Sequence, residues 1–326
     1  MKYLTQERLG ALREAWINFN LPGLPLNVNV GHQLLQLGNG WFLRNMKYGD
    51  DAWVVANVTG ANTVAFVDIK AAEGSTAQAD DIDGYALLDV FKLSVTMTAG
   101  IDLTSVNDRR ATLVGAPAGA SLNLQNIGLN FNGAFGMLNL KAEVDFQMGK
   151  VENISPFTDS KFKGNQIVIQ GNVALDPVTV NFTAARGSGK ESTDTDQKEM
   201  VNILDADQHY TFLYEYKMAT AAGATHTGFS NTTALSVGGS IAASKSVTVG
   251  LDLWYLRATE EYVSPVDGKN SDKIGTEIDA KLNWKLYDNL TWNWRFGWVK
   301  PGDAYKHGTV DAEDSTAVYG MLSFKF

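Results

Sequence analysis

Residues 277–298 constrain the fold more than any other stretch of the chain. In 277–286, Ile278, Ala280, Leu282, Trp284 and Leu286 alternate with Glu277, Asp279, Lys281, Asn283 and Lys285. Tyr287-Asp288-Asn289 turns the chain, after which Leu290, Trp292, Trp294, Phe296 and Trp298 face one way and Thr291, Asn293, Arg295 and Gly297 the other. Successive side chains on a strand point to opposite faces, so this is a hairpin with one apolar and one charged wall. A run of about ten such residues matches a strand crossing a bilayer at a tilt near 45°. Strands of a soluble sandwich average about five or six residues.

The same pattern recurs. In 138–149, Leu138, Leu140, Ala142, Val144, Phe146 and Met148 alternate with Asn139, Lys141, Glu143, Asp145 and Gln147. Val247, Val249, Leu251, Leu253 and Tyr255 oppose Thr248, Gly250, Asp252 and Trp254, and Val95–Leu103 alternates likewise. Tyr210, Phe212, Tyr214 and Tyr216 oppose Thr211, Glu215 and Lys217. Weaker segments lie near 11–21, 25–34, 51–58, 62–70, 84–92, 121–133, 165–175, 177–186 and 230–242. With the terminal segment 318–326, these amount to about 16 candidate strands (roughly 14–18), within the range of membrane barrels.

Composition removes the competing classes. No apolar run in the 326 residues approaches the roughly 18 that a membrane helix requires. A closed antiparallel barrel is the other structure that satisfies every backbone polar group in lipid. Its alternating strands are compatible with the 44% hydrophobic content and the mean hydropathy of −0.14. The absence of cysteine removes disulfides, thiolate metal sites and haem attachment through CxxCH, and no cofactor is expected. A net charge of −9 argues against a nucleic-acid partner. A β-propeller would need repeats of blade length, which are not seen.

Turns follow a short–long rhythm. Short connections are expected at 21–25, 58–62, 175–177, 244–246 and 287–289, and long polar ones at about 36–50, 71–83, 105–120, 149–164, 187–207, 257–275 and 299–315. Membrane barrels place short turns on one side and long loops on the other. The parity breaks between 187 and 229, so either a strand there is misassigned or 208–218 folds into the pore as part of a loop. Met1–Arg8 has no apolar stretch behind its charge, which favours one barrel over 1–326 whose amino-terminal portion lies upstream.

The chain ends on an alternating strand with Val318, Gly320, Leu322, Phe324 and Phe326 on one face. This ending resembles the terminal strand of bacterial outer-membrane barrels, which finish on Phe. The resemblance implies an outer-membrane location in a Gram-negative cell and a contact with the assembly machinery through Phe326. To close the barrel, this strand would pair with the first, near 11–21. Trp284, Trp292, Trp298, Tyr319, Phe324 and Phe326 cluster near strand ends, where aromatic rings sit at the lipid interface.

Trp16-Ile17-Asn18-Phe19, followed by Val28-Asn29-Val30-Gly31-His32-Gln33 and Leu37-Gly38-Asn39-Gly40-Trp41, resembles the strand–loop unit of the alginate-export-type porin family. Residues 274–279 and 298–305 resemble that family's closing hairpins. The resemblance implies an outer-membrane channel. His32 stands where the family's motif carries arginine, and the negative net charge departs from a pore built for polyanions.

A channel needs a wetted lumen rather than a catalytic group. The expected pore-lining residues are Lys141, Glu143, Asp145, Glu215, Lys217, Glu277, Asp279, Lys281 and Arg295, each opposite an apolar face. Arg44, Lys47, Arg109 and Arg110 lie in or beside long loops, where they could line a constriction or meet lipopolysaccharide. Acidic runs at 80–83, 194–196, 205–207 and 311–314 offer hard oxygen ligands, but none has the EF-hand spacing, and no metal is expected. The four histidines, His32, His209, His226 and His307, have no nucleophile motif beside them, so catalysis is not expected. Passive passage of small hydrophilic solutes is the first reading. A barrel sheathing a partner protein is the alternative, followed by a barrel-embedded hydrolase.

Overall fold

The computed structural model describes residues 13–73, 81–109, 114, 116, 119–153, 156–205, 209–215, 228–264 and 267–325. Its first half contains β1 (Ala15–Asn20), β2 (Asn27–Gln36), β3 (Leu43–Thr59), β4 (Asn62–Ala72), β5 (Ile82–Lys92), β6 (Met97–Asp108), β7 (Ser121–Phe135) and β8 (Leu138–Glu152). After these come β9 (Ser160–Lys161), β10 (Asn165–Leu175), β11 (Val178–Gly187), β12 (Ile203–Leu204) and β13 (Thr232–Ala242). The last four are β14 (Val247–Val263), β15 (Asn270–Tyr287), β16 (Leu290–Pro301) and β17 (Ser315–Phe324).

All seventeen strands belong to one sheet. Fifteen form an antiparallel meander in chain order, with β8 pairing β10 and β11 pairing β13. The two-residue strands stand aside from it. β9 lies against the end of β8, and β12 runs parallel to the start of β3, with Ile203 opposite Leu43. Among the described residues no pairing joins β1 to β17. As first and last of fifteen antiparallel strands, these two run in the same direction.

The strands outrun the alternation that revealed them. Leu43–Asp50 and Arg257–Val263 are strand where long loops were expected, and β15 begins at Asn270. Beyond a lipid layer both faces of a hairpin meet water, so the apolar period lapses while the ladder continues. The Arg257–Asp272 ion pair ties β14 to β15 in that region. The parity break also resolves. A single connection, 188–231, joins β11 to β13, and Tyr210–Glu215 within it is not a strand. Its alternating aromatics are buried inside the sheet rather than facing lipid.

Register separates the two faces. Val237, Leu253, Ile278, Trp298 and Thr316 form one outward row across β13–β17. The outer face exposes Phe146, Leu235, Leu251, Leu253, Tyr255 and Leu322, with Leu251 at 56%. The inner face is closed off, with Asp252, Trp254 and Leu256 buried between those same residues of β14. Loops fold inward to build two apolar clusters. One packs Leu37, Phe42 and Met200 against β3–β8, and the other packs Trp41, Tyr210, Tyr214 and Phe229 against β10–β15. An exterior this apolar exceeds what a water-soluble monomer carries and suits a bilayer. No helix among the described residues is long and apolar enough to cross a membrane.

Trp284 lies opposite Trp292 on the outer face with ring centroids 6.3 Å apart, near the short turn, and Phe324 shares that rim through Leu290. Trp298 lies toward the opposite rim. Tyr319 departs from the expected interface set. It pairs with Arg295, which places it on the inner face, because its parity on β17 is opposite to that of Val318 and Leu322. Phe326 lies outside the described residues.

Leu251→Arg should destabilise the protein by about 2–4 kcal/mol if Leu251 sits at mid-bilayer. Asn283→Arg, on the exposed inner face, should stay within about 0.5 kcal/mol. Urea titration of folding into lipid vesicles measures both.

Candidate functional site

The inner wall is read from its rungs. On β8, Lys141, Glu143 and Asp145 face inward, opposite Gln170, Val168 and Gln166 of β10. On β15, Glu277, Asp279 and Lys281 face inward, opposite Val299, Gly297 and Arg295 of β16. Alternation therefore brings seven of the nine sequence-derived residues to one enclosed surface. Glu215 lies in the inward-folded connection instead of on a wall strand, and Lys217 lies outside the described residues.

The acids and the bases divide sharply. Glu143, Asp145, Glu277 and Asp279 are all nearly inaccessible, at 3%, 1%, 0% and 1% exposure. Lys141 and Arg295 are exposed on the same wall, and the Lys281 side chain keeps 41% of its surface. Lys281 Nζ lies 2.6 Å from Asp252 Oδ2, and Asn181 Nδ2 donates to Asp252 Oδ1 at 2.5 Å.

The buried glutamates anchor loops. Glu277 accepts the backbone N–H groups of Phe212 and Leu213 on Oε1 at 2.8 and 2.5 Å, and that of Tyr214 on Oε2 at 2.8 Å. Asp279 adds a 3.2 Å bond from Phe212 N–H. On β8, Glu143 accepts the N–H of Trp41 at 3.0 Å and that of Asn39, while Asn39 Nδ2 donates to Ala142 O at 2.8 Å. A carboxylate receiving several backbone N–H bonds forms charge-assisted bonds worth about 1.5–3 kcal/mol each. Glycine makes the approach possible. A Cβ at Gly297 would stand 2.7 Å from Phe212 Cδ1, and one at Gly38, whose φ is +53°, 2.7 Å from Glu143 Oε2.

Between these anchors the aromatic side chains meet. Tyr210 lies 4.3 Å from Phe229 and 5.5 Å from Trp254 between ring centroids, and Trp41 lies 4.7 Å from Phe229. Tyr210 Oη donates to Gly228 O at 2.9 Å. Burial holds the Tyr210 and Tyr214 phenols well above their ordinary range. His209 sits beside them, with Nδ1 2.7 Å from Glu215 Oε1 and Nε2 3.2 Å from Asp205 Oδ1. Farther out, ion pairs fasten the same connection: Lys163 with Asp196 at 2.7 Å, and Lys198 with Asp194. These lysines hold both carboxyls below the usual range.

Two cavities flank this constriction. One, of about 320 Å³, is lined by Lys141, Gln170, Thr183, Ser236, Trp254 and Lys281 among others. The second, of about 120 Å³, is bounded by Phe212, Asp279, Lys281 and Arg295. His209 and Tyr210 line both.

Sequence reasoning missed the plug. Trp41 and Phe229 carry no periodic signal, and Tyr210, Phe212 and Tyr214 mimic a strand. One clue was present, since Trp254 falls on the polar side of an otherwise clean alternation. His32 points to the outer face, its Nδ1 2.8 Å from Asp51 Oδ1. Arg44 is the second residue of β3, beside Leu204, Arg109 directly follows β6, and Arg110 and His226 lie outside the described residues. Among the described residues, no group of three or more His, Asp or Glu side chains could hold a metal.

No protein-family model matches the chain, and no curated protein is similar to it in sequence. Solved structures do match. OccK10 (OpdN) of Pseudomonas aeruginosa aligns at a TM-score of 0.56 and 8% identity, covering 93% of this chain and 81% of that one. OccK11 (OpdR) of the same organism aligns at 0.53 and 9%, covering 92% and 78%. A BenF-like porin from Pseudomonas fluorescens Pf-5 aligns at 0.53 and 10%, covering 93% and 75%. At such identities the likeness is one of fold. The chain is all-β and has the architecture of a transmembrane antiparallel barrel, the fold of these structures.

Glu277→Ala strips the Leu213 and Tyr214 N–H groups of their acceptor, leaves that of Phe212 only Asp279, and should free the 209–215 segment. Protease susceptibility of this connection and single-channel conductance should both rise relative to the native protein. Glu277→Gln, which keeps an acceptor oxygen, should lie between the two.

Proposed function

We propose that the protein is a channel of a Gram-negative outer membrane, through which small hydrophilic solutes diffuse passively past a constriction made by its own loops. The observation that carries this reading is the division of charge on the inner wall. Glu143, Glu277 and Asp279 are spent on loop backbone and Asp145 on the Asn126 and Gln166 side chains, whereas the basic groups Lys141, Lys281 and Arg295 keep exposed surface on the same wall. The chain is acidic overall, yet the surface it offers to the lumen is basic, and charged rings of one sign bias which ions pass. Lipid and lipopolysaccharide surround the outer face in this reading, and the terminal strand serves as the contact for assembly.

The finer kinship to alginate-export-type porins rests on Trp16–Phe19, Val28–Gln33 and Leu37–Trp41. These residues form β1, β2 and the first inward loop. Passage of a polyanion chain is not part of the proposal, because His32, at the arginine position of the motif, is engaged by Asp51 outside the lumen. The sheath reading is less favoured. A threaded partner needs a continuous wide bore, and the Trp41–Tyr210–Phe229 cluster stands across it.

Planar-bilayer recording in asymmetric salt tests the channel. Lys281→Gln removes a cation and uncovers Asp252, and Arg295→Gln removes a second cation. Each should move the reversal potential toward cation preference, with Lys281→Gln giving the larger shift. An unchanged reversal potential in both would remove these residues from the selectivity surface.

A further inference from the structure

Two adjacent rungs of the inner wall differ in how their polar groups are used. The first crosses β8, β10, β11, β13 and β14 as Asn139, Asn172, Asn181, Gly238 and Asp252. It is spent on itself and its neighbours. Asn139 Nδ2 donates to Asn172 Oδ1 at 3.0 Å, and Asp252 takes Asn181 and Lys281. The second rung, one residue pair along, runs Lys141, Gln170, Thr183, Ser236 and Trp254. No side chain of this second rung makes a hydrogen bond or ion pair to any described residue. Trp254 Nε1–H in particular is buried and has no partner among the described residues. Buried polar groups are ordinarily satisfied, so an unspent donor on a residue that lines a cavity marks a place where another molecule's oxygen belongs.

We infer that this rung is a binding subsite for a polyhydroxylated solute of monosaccharide size. The cavity of about 320 Å³ falls within the range of small-ligand sites, about 300–1,000 Å³. Its chemistry is mixed. Lys141 and the Trp254 indole only donate, whereas the Gln170 amide and the Thr183 and Ser236 hydroxyls both donate and accept. Adjacent hydroxyls on a sugar ring offer that same mixture. Successive strands lie about 4.8 Å apart, so neighbouring groups of the rung reach different hydroxyls of one ring. The edge-to-face pair of Tyr210 and Trp254, 5.5 Å apart and 63° between planes, supplies an apolar surface for the ring's C–H edges. A carboxylate without hydroxyls has only two acceptor oxygens on one carbon, so it would meet Lys141 and an adjacent donor but leave the far groups of the rung unmet. A site built to bond hydroxyls discriminates strongly against analogues that lack them.

This inference rests on the channel reading in placing the cavity on the solute's path. The test is current block by glucose, with butyrate as the hydroxyl-free comparison, on the purified full chain in planar bilayers. Glucose should reduce the current in a saturable way. Trp254→Phe, which keeps the ring and removes the N–H, and Gln170→Leu should each raise the half-blocking concentration by about five- to tenfold, as loss of one hydrogen bond implies. Butyrate should give no saturable block, and its effect should be unaltered by either variant. A conducting channel that glucose does not block, or a block unchanged in both variants, overturns the subsite and leaves the channel standing. If the protein does not conduct, the channel reading fails. Calorimetric titration with glucose in detergent then decides the subsite by itself: binding weakened in Trp254→Phe upholds it, and no binding overturns it.

Discussion

Every backbone N–H and C=O that enters a bilayer must find its partner within the protein, and the rest of this structure follows from that demand. With no helix among the described residues long enough to cross, the chain meets it through one antiparallel meander of fifteen strands. That sheet sends alternate side chains to lipid and to the interior. An interior bounded by so many strands is wide, and wide interiors are wet or filled. Here loops fill part of it. The wall holds them with carboxylates that accept backbone N–H groups, the same bonding demand met a second time inside the lumen.

This arrangement changes what the inner acids mean. A Glu or Asp facing the lumen of a barrel is ordinarily taken to set cation preference. Glu143 and Glu277 are instead structural acceptors, one holding the Trp41 segment and the other the Tyr210 segment. In the channel reading proposed above, the exposed basic groups define the lumen electrostatically, although the chain carries an excess of acids. On that reading, charge counted from composition and charge met by a solute differ in sign.

The outer wall was almost wholly legible from the residues. Leu251, Leu253, Ile278, Phe296 and Trp298 announce themselves by parity, and register merely aligns them. The site was legible by half. Lys141, Lys281 and Arg295 could be placed on the inner face from alternation alone, but the exposure they keep there could not. Tyr210, Phe212 and Tyr214 imitate a strand because an aromatic plug and a lipid-facing strand both need bulky apolar side chains at intervals.

What the sequence by itself determined is the pattern of strands and the face each side chain takes, because period-two alternation is a local property that needs no partner. Short turns such as 176–177 and 288–289 are equally local. Tertiary structure alone decided which polar groups are used up. That outcome depends on residues more than 60 positions apart, such as Glu277 with Phe212 and Glu143 with Trp41, meeting across the lumen. It also decided that the second rung, from Lys141 to Trp254, is left with its hydrogen-bonding capacity unspent, since only the fold shows which neighbours a side chain lacks.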